Sequence, residues 1–482
     1  MKQLKYIITL CLPVLLLAPG CSKFEDFGDT NVNPGATTDP ILGALLTNVE
    51  AGIGGYAANT RAGFYCQYFS ETQYPDASLY SIPQLNFNGE YAGSLYDLQN
   101  IITSPKATNG MIAVSRILKA YIFWTITDRW GDVPYSEALT GDPTPKYDDQ
   151  ESIYKANISE LTAAIAQFDG SVITGDVING GSEAKWKKIA NSLRMLMALR
   201  LSKKFPDASG YAATEFKAAL NDAAGSIATN ADNFVVVFPG NFKSNWWGVY
   251  DGRKDIGESA TLTGMMAAFG DGRQVAFGGK TEDQNQSNPD WNATSNVGVP
   301  YGHERAYIDS WTGSHADWAR VLRGDLRQPT GKVQIITAAA VLLARAEAAD
   351  RGWTSENATT MFQNGVNASF EQWGIAAPAA SYFAQADVAF TAPAGTGANI
   401  KQIALQRWIA TYPDGLQGWS EWRRTGFPVL TPAVDALNTS KQIVVRYTYG
   451  QSEYASNKEE TEAKAAAMPG GDKQDSKVWW QQ

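Results

Sequence analysis

Six aromatic residues in polar, turn-rich surroundings carry the most suggestive chemistry of this sequence. Tyr74 and Tyr80 lie in QYPDASLYSIPQLNFNG, and Trp246, Trp247, Trp291 and Tyr301 lie in a later stretch rich in Gly, Asn and Asp. Flat rings in loops suit stacking on sugar rings or other flat ligands, whereas rings on periodic apolar faces fill cores. Asp76 and Asn245 stand beside them and can supply hydrogen bonds. Such a set recognises a ligand by shape, stacking and a few polar contacts, without an activated nucleophile.

Catalytic patterns are missing by comparison. No GxSxG elbow, P-loop or dinucleotide fingerprint occupies a strand-turn-helix setting. The chain has 49 acidic residues, so chance carboxylate pairs are expected, and a glycosidase needs two at a defined separation across a cleft. A surface glycoside hydrolase is therefore the alternative from another class, and catalytic residues are expected to be none. Asp283, Asn285 and Ser287 alternate as in a calcium loop, but the sixth position lacks Gly and Thr294 replaces the twelfth-position Glu. His303 and His315 come without HExxH or cysteine spacing. No metal and no cofactor are expected.

The amino terminus bears on the compartment. Lys2 and Lys5 precede an apolar run from Tyr6 to Leu17, too short to span a bilayer comfortably, and Ala18-Pro19-Gly20 leads to Cys21. Residues 1–20 read as a signal peptide, Cys21 as a lipidation site, and 21–40 as a polar tether turning at Asn33-Pro34-Gly35. Acyl chains on Cys21 would be the membrane anchor. The net charge is −9, with no concentrated basic face, so nucleic acid is not an expected partner. Aromatics make up 11% of the residues, a high share, with core filling the first reading of each and stacking platforms for sugar rings or other flat ligands the second.

The element that must position everything else is MIAVSRILKAYIFWTITDRWGDVPYSEAL, from Met111 to Leu139. Met111, Val114, Ile117, Leu118, Tyr121 and Ile122 recur at helical spacing, and Phe123, Trp124 and Ile126 extend the apolar surface around the helix. The helix should stop near Trp130, with Gly131 as a left-handed cap and Pro134 beyond it. Asp128, a carboxylate at the unfavourable end of the dipole, needs a partner. Further helices are expected over 41–49, 60–72, 91–102, 151–168, 183–204 (capped by Ser182), 211–227, 260–269, 333–351, 399–412 and 417–424. Arg423 and Arg424 read as ion pairs bracing helix ends.

The run YIFWTITDRWGDVPYSEAL resembles the hallmark segment of the SusD/RagB-like nutrient-binding outer-membrane lipoproteins, in particular the second SusD-like group. AEAADRGW (346–353), QRWIATYPDGLQGWSEWRRTGFP (406–428), RYTYGQSEYASN (446–457) and GGDKQDSKVWWQQ (470–482) are similar to further family segments, with Gly450 where the pattern leads to Pro. The resemblance implies a mainly α fold, with four tetratricopeptide-type helix pairs forming a single body and a loop-rich inserted half. The domain from 41 to 482 would then hold a helical body (about 41–230 and 331–430), an insertion (about 231–330) and a C-terminal segment (431–482). The implied role is a cell-surface lipoprotein in the outer membrane, facing outward, that binds an oligosaccharide or other nutrient and passes it to a SusC-like TonB-dependent transporter. A RagB-like oligopeptide binder and a non-nutrient surface scaffold are the alternatives. Glu25 and Asp26 resemble the acidic export signal of surface lipoproteins.

Overall fold

A computed structural model describes residues 40–82 and 85–482. The expected leader, Cys21 and the tether as far as residue 39 lie outside the described residues.

The chain enters through helix α1 (Leu42–Gly52) and the short α2 (Thr60–Tyr65), started by Asn59, whose side chain accepts the Ala62 N–H at 3.1 Å. The expected helix over 60–72 ends early. Gln67 takes a positive φ of 60°, and Phe69–Glu71 becomes strand β1. Aromatic residues at 64, 65, 68 and 69 have helical spacing, and long-range strand pairing overrides it. After a five-residue π-helical segment, Tyr91–Leu95, come α3 (Tyr96–Thr103) and the central α4 (Asn109–Trp130). Thr108 caps α4 by accepting from Met111, and Gly131 ends it at φ 86° with its N–H on the Thr127 carbonyl. Strands β2 (Val133–Pro134) and β3 (Tyr147–Asp148) then pair antiparallel and deliver the chain to α5 (Gln150–Gln167). Next follow α6 (Glu183–Arg200), capped by Ser182, and α7 (Tyr211–Leu220).

The insertion contributes β4 (Phe234–Val237), β5 (Ile256–Glu258), α8 (Ala260–Phe269), β6 (Gly278–Gly279), α9 (Arg305–Ser314) and β7 (Arg320–Val321). Strand β8 (Lys332–Ile336) replaces the start of the helix expected at 333. It pairs antiparallel with β4, and only at Thr337, which caps Ala340 N–H at 3.1 Å, does α10 (Ala338–Asp350) begin. Two β-branched runs that find each other across a hundred residues prefer the pleated surface. The body closes with α11 (Ala358–Gln372), α12 (Ile400–Thr411) and α13 (Gly415–Thr425), and the tail with α14 (Gln451–Ser456), α15 (Lys458–Ala467) and a final turn at Trp479–Gln481.

Four consecutive helix pairs, α4/α5, α6/α7, α10/α11 and α12/α13, pack side by side, and α5 against α6 and α10 against α12 join pair to pair. The fold is mainly helical, as expected. Helix α4 is buried almost all round, which explains an apolar surface without a polar stripe. At its end Asp128 has its partners: Tyr154 donates its hydroxyl, Trp480 its indole N–H at 2.9 Å and Ser420 its hydroxyl at 3.3 Å. Trp480 thereby sews the tail into the body, fully buried. Beside it, Arg424 and Arg407 grip Glu347 and Glu421. Burial alone would push the Glu347 carboxyl up, but Arg424, Arg351 and Arg407 hold it well below the usual carboxylate range. Among the described residues no helix is long and apolar enough to cross a membrane.

Candidate ligand-binding face

The β1–β5 pairing builds an open cleft from distant pieces of chain. Phe69–Glu71 lies against Ile256–Glu258, and the Thr72 N–H continues onto the Asp255 carbonyl at 2.8 Å. The next residues are shaped by one carboxylate: Glu71 accepts from the Asp76 N–H (2.7 Å), the Ser78 N–H (2.9 Å) and the Ser78 hydroxyl (2.6 Å). That turn pushes Tyr74 outward, 58% exposed, over a cleft of about 690 Å³. Gln73, Asp251, Lys254, Glu282 and Gln284 line the rest, and Tyr250 forms part of its wall. The volume falls within the roughly 300–1,000 Å³ of small-molecule sites.

The cleft is polar and its charges are held. Glu282 accepts from Arg320 at 2.8 Å, Asp255 from Arg253 at 2.6 Å, and Asp251 stands 3.6 Å from Lys243. Tyr250 donates to the Ile256 carbonyl and accepts the Val321 N–H, both at 2.7 Å. Asp283 accepts the Asn285 N–H and the Asn288 side-chain amide, and Asn285 accepts the Ser287 N–H, so the alternating residues serve their own turns. Among the described residues no group of three or more His, Cys, Asp or Glu is placed to hold a metal ion. Burial with only Gln274 as a donor pushes the Glu258 carboxyl up to about 8, but the group is fully enclosed and reaches no ligand.

The eight residues singled out from the sequence separate into two groups. Tyr74 lines the cleft, Asp76 two residues on is paired to Arg61 at 3.2 Å outside the lining, and Trp247 is half-buried with the Lys243 ammonium 5.2 Å from its ring centre. The Trp247 carbonyl takes the Gln284 amide at 2.9 Å, tying it to the cleft wall. Tyr80, Trp246 and Trp291 are buried and offer no open ring face, which corrects the expectation for all three. Tyr80 packs on Tyr65 and accepts the Ala433 N–H; Trp246 packs on Phe69; Trp291 sits under Gly324. Half-buried Tyr301 reaches the Tyr80 hydroxyl at 3.5 Å, and Asn245 lies against Gly54 and Gly55. Polar neighbours in the sequence do not report which way a ring turns: Trp246 and Trp247 share one helical turn, one facing in and one partly out.

Helix α9 carries aromatic residues that the composition of its surroundings concealed. Tyr307 and Trp311, four residues apart, share a face of α9, and His303 and His315 flank the helix at the same four-residue spacing. His303 stacks on Tyr307 with centroids 4.0 Å apart, and His315 on Trp311 at 4.3 Å. Of this helix only Ile308 is buried, and Tyr307 is 46% exposed. The signal was present as a four-residue aromatic spacing after a Gly- and Asn-rich stretch. Arg305 joins α9 to the cleft, its guanidinium 5.0 Å from the Tyr74 ring centre. On the other side Asp435 accepts the Glu304 N–H at 2.8 Å and donates its own N–H to the Gly302 carbonyl, setting Val434 beside the start of α9 in a loop that exposes Val429, Val434 and Leu437. Cleft, aromatic helix and apolar loop thus form one chain of contacts.

Comparison with known proteins agrees with this architecture. The SusD-like family described as starch-binding and associating with the outer membrane matches residues 33–450. A chitin-binding SusD homologue from Flavobacterium johnsoniae superposes with a TM-score of 0.77 at 24% identity, covering 91% of this chain and 98% of its own. A SusD homologue from Bacteroides uniformis gives 0.77 at 24% identity, with 92% and 99% covered. A third structure, named a chitin-binding protein, gives 0.75 at 27% identity, with 91% and 99% covered. No curated protein sequence matches. With the family match running through both the helical body and the insertion, the chain belongs to the second SusD-like group of starch-binding proteins that associate with the outer membrane.

Proposed function

We propose that this protein is a surface lipoprotein that captures an oligosaccharide without transforming it and delivers it to a SusC-like TonB-dependent transporter. The observation that carries the reading is the joining of an open polar cleft to exposed rings, Tyr74 through Arg305 to Tyr307, with half-buried Trp311 one turn further along. Sugars have apolar ring faces and hydroxyl rims, so stacking plus held side chains binds them with little reorganisation. The Arg320, Arg253 and Asn288 contacts fix the cleft's carboxylates as acceptors for hydroxyls. Acyl chains on Cys21 would hold the protein to the outer membrane, facing outward, and the exposed apolar loop at Val429, Val434 and Leu437 suits contact with the barrel.

Chitin binding by structural relatives makes N-acetylglucosamine oligomers the first ligands to try, followed by α-glucans. The test is calorimetry of both sugars, with a peptide panel alongside, on the protein and on Tyr74→Ala combined with Trp247→Ala. The double variant should keep its melting temperature and lose affinity by at least about tenfold. Unchanged sugar binding in a folded double variant defeats the cleft as the site, peptide binding in place of sugar favours the oligopeptide alternative, and turnover of any glycan favours a hydrolase.

A further inference from the structure

A second concavity lies away from the cleft, between the π-helical segment Tyr91–Leu95, the loop ending at Pro145 and helix α14. It holds about 360 Å³ and shares no lining residue with the Tyr74 cleft. We propose that this slot is a second sugar site, taking a neutral pyranose ring against Tyr96 with its hydroxyls on Glu453.

Three independent features point there. Tyr96 is 53% exposed although the helix it begins buries Leu98 and Ile101, so a ring stands open at the mouth of the slot. Glu453 lines the slot and is only 4% exposed; one carboxylate oxygen accepts the Tyr147 hydroxyl at 2.6 Å, while the other is buried and meets no donor at full hydrogen-bond geometry, Asn88 and Ser452 being the side chains near it. A buried polar atom left without a partner destabilises the fold, and a ligand hydroxyl removes that cost. The wall itself is distorted: Gly93 interrupts the helical run at φ −102°, ψ −109°, and π-helical turns gather at functional sites.

The rest of the slot is rigid and selects by charge. Asn457 donates to the Pro145 carbonyl at 2.7 Å, fastening the loop to α14, and Phe87 packs on Tyr91 at 5.4 Å behind the opening. No Lys, Arg or His lines it, so phosphates and acidic sugars find no counter-charge. Burial raises the Glu453 carboxyl above its ordinary range, and the protonated form can both donate to and accept from a neutral hydroxyl. A proline-rich peptide would also lie on Tyr96, but it brings backbone groups along its whole length where the lining offers one incompletely bonded buried acceptor, on Glu453.

The experiment titrates chitotetraose, maltotetraose and a proline-rich decapeptide into the full chain, Tyr74→Ala, Tyr96→Ala and Glu453→Gln, with thermal melting to report folding. One sugar should still bind Tyr74→Ala, and adding either Tyr96→Ala or Glu453→Gln should weaken that remaining site about tenfold. Tyr96→Ala, on the surface, keeps the test meaningful should Glu453→Gln unfold. Sugar binding abolished by Tyr74→Ala alone, no effect of Tyr96→Ala, peptide but no sugar in the slot, or no sugar bound by the unaltered chain would each overturn the proposal. Sugar binding that survives Tyr74→Ala unchanged but falls with Tyr96→Ala would instead retire the cleft and leave the slot standing.

Discussion

Arg424 holds Glu347 through two parallel hydrogen bonds of 2.6 Å, joining α13 to α10 in a place sealed from solvent. Arg407 from α12 and Arg351 from the end of α10 complete the surround, and Arg424 also reaches Glu421 at 2.8 Å. A fork-to-fork pair of this kind is strong only while every member is present. The network ties two helix pairs together where their surfaces meet.

Removing the carboxylate should therefore be severe. Glu347→Ala leaves Arg424 and Arg407 buried without their counter-charge, and is expected to cost about 3–5 kcal/mol in denaturant melts. The native carboxyl is also held well below its ordinary 4.5, so its contribution is present above that pH and is lost as pH falls through and below it. Urea midpoints should drop on acidification from pH 5, and drop less in Glu347→Gln. An equal acid dependence in the variant would show that other carboxyls dominate.

Glu258 has the opposite sign. Its native value of about 8 lies above the unfolded 4.5, so the folded state binds the proton more tightly, and stability declines as pH rises from 4.5 through 8. Glu258→Gln removes the titration and keeps an acceptor for Gln274. At pH 8.5 it should be about 4–5 kcal/mol more stable than the unaltered protein, with the gap shrinking to below about 1 kcal/mol at pH 5. Glu50 and Asp414, raised to about 9 and about 8 by burial, leave a residual slope in both.

Gly415 opens α13 directly against α2, where a Cβ would fall onto the backbone of Gly63. Gly415→Ala must push two helices apart and should cost about 1–3 kcal/mol or more, read as a lowered melting temperature. Gly264→Ala, in open space on α8, is the matched control and should leave melting unchanged or slightly raised.

Helix α9 separates binding from stability. Tyr307→Ala deletes an exposed ring from an element that buries only Ile308, so melting should hold while sugar affinity falls about tenfold. Calorimetry beside a melting curve reads both. Loss of stability without loss of affinity would make the stripe a support for the Gly302–Asp435 contact instead.

Local signals carried far in this chain. The span of α4, its stop at Gly131, the search of Asp128 for partners, the helix from Ala260 to Phe269 and the ionic bracing by Arg424 all follow from neighbours within a turn or two. Helical spacing, caps and glycine conformations act over such distances, so the amino-acid order alone sufficed for the helical body and its resemblance. What only the tertiary structure decided lies where residues far apart meet. Phe69–Glu71 and Lys332–Ile336 became strands because Ile256–Glu258 and Phe234–Val237 offered partners, and no local periodicity carries that information. The same holds for the binding face: Tyr80, Trp246 and Trp291 turned inward, and Tyr74 stayed open above residues 180 positions later, because a ring's exposure is set by what packs against it across the fold.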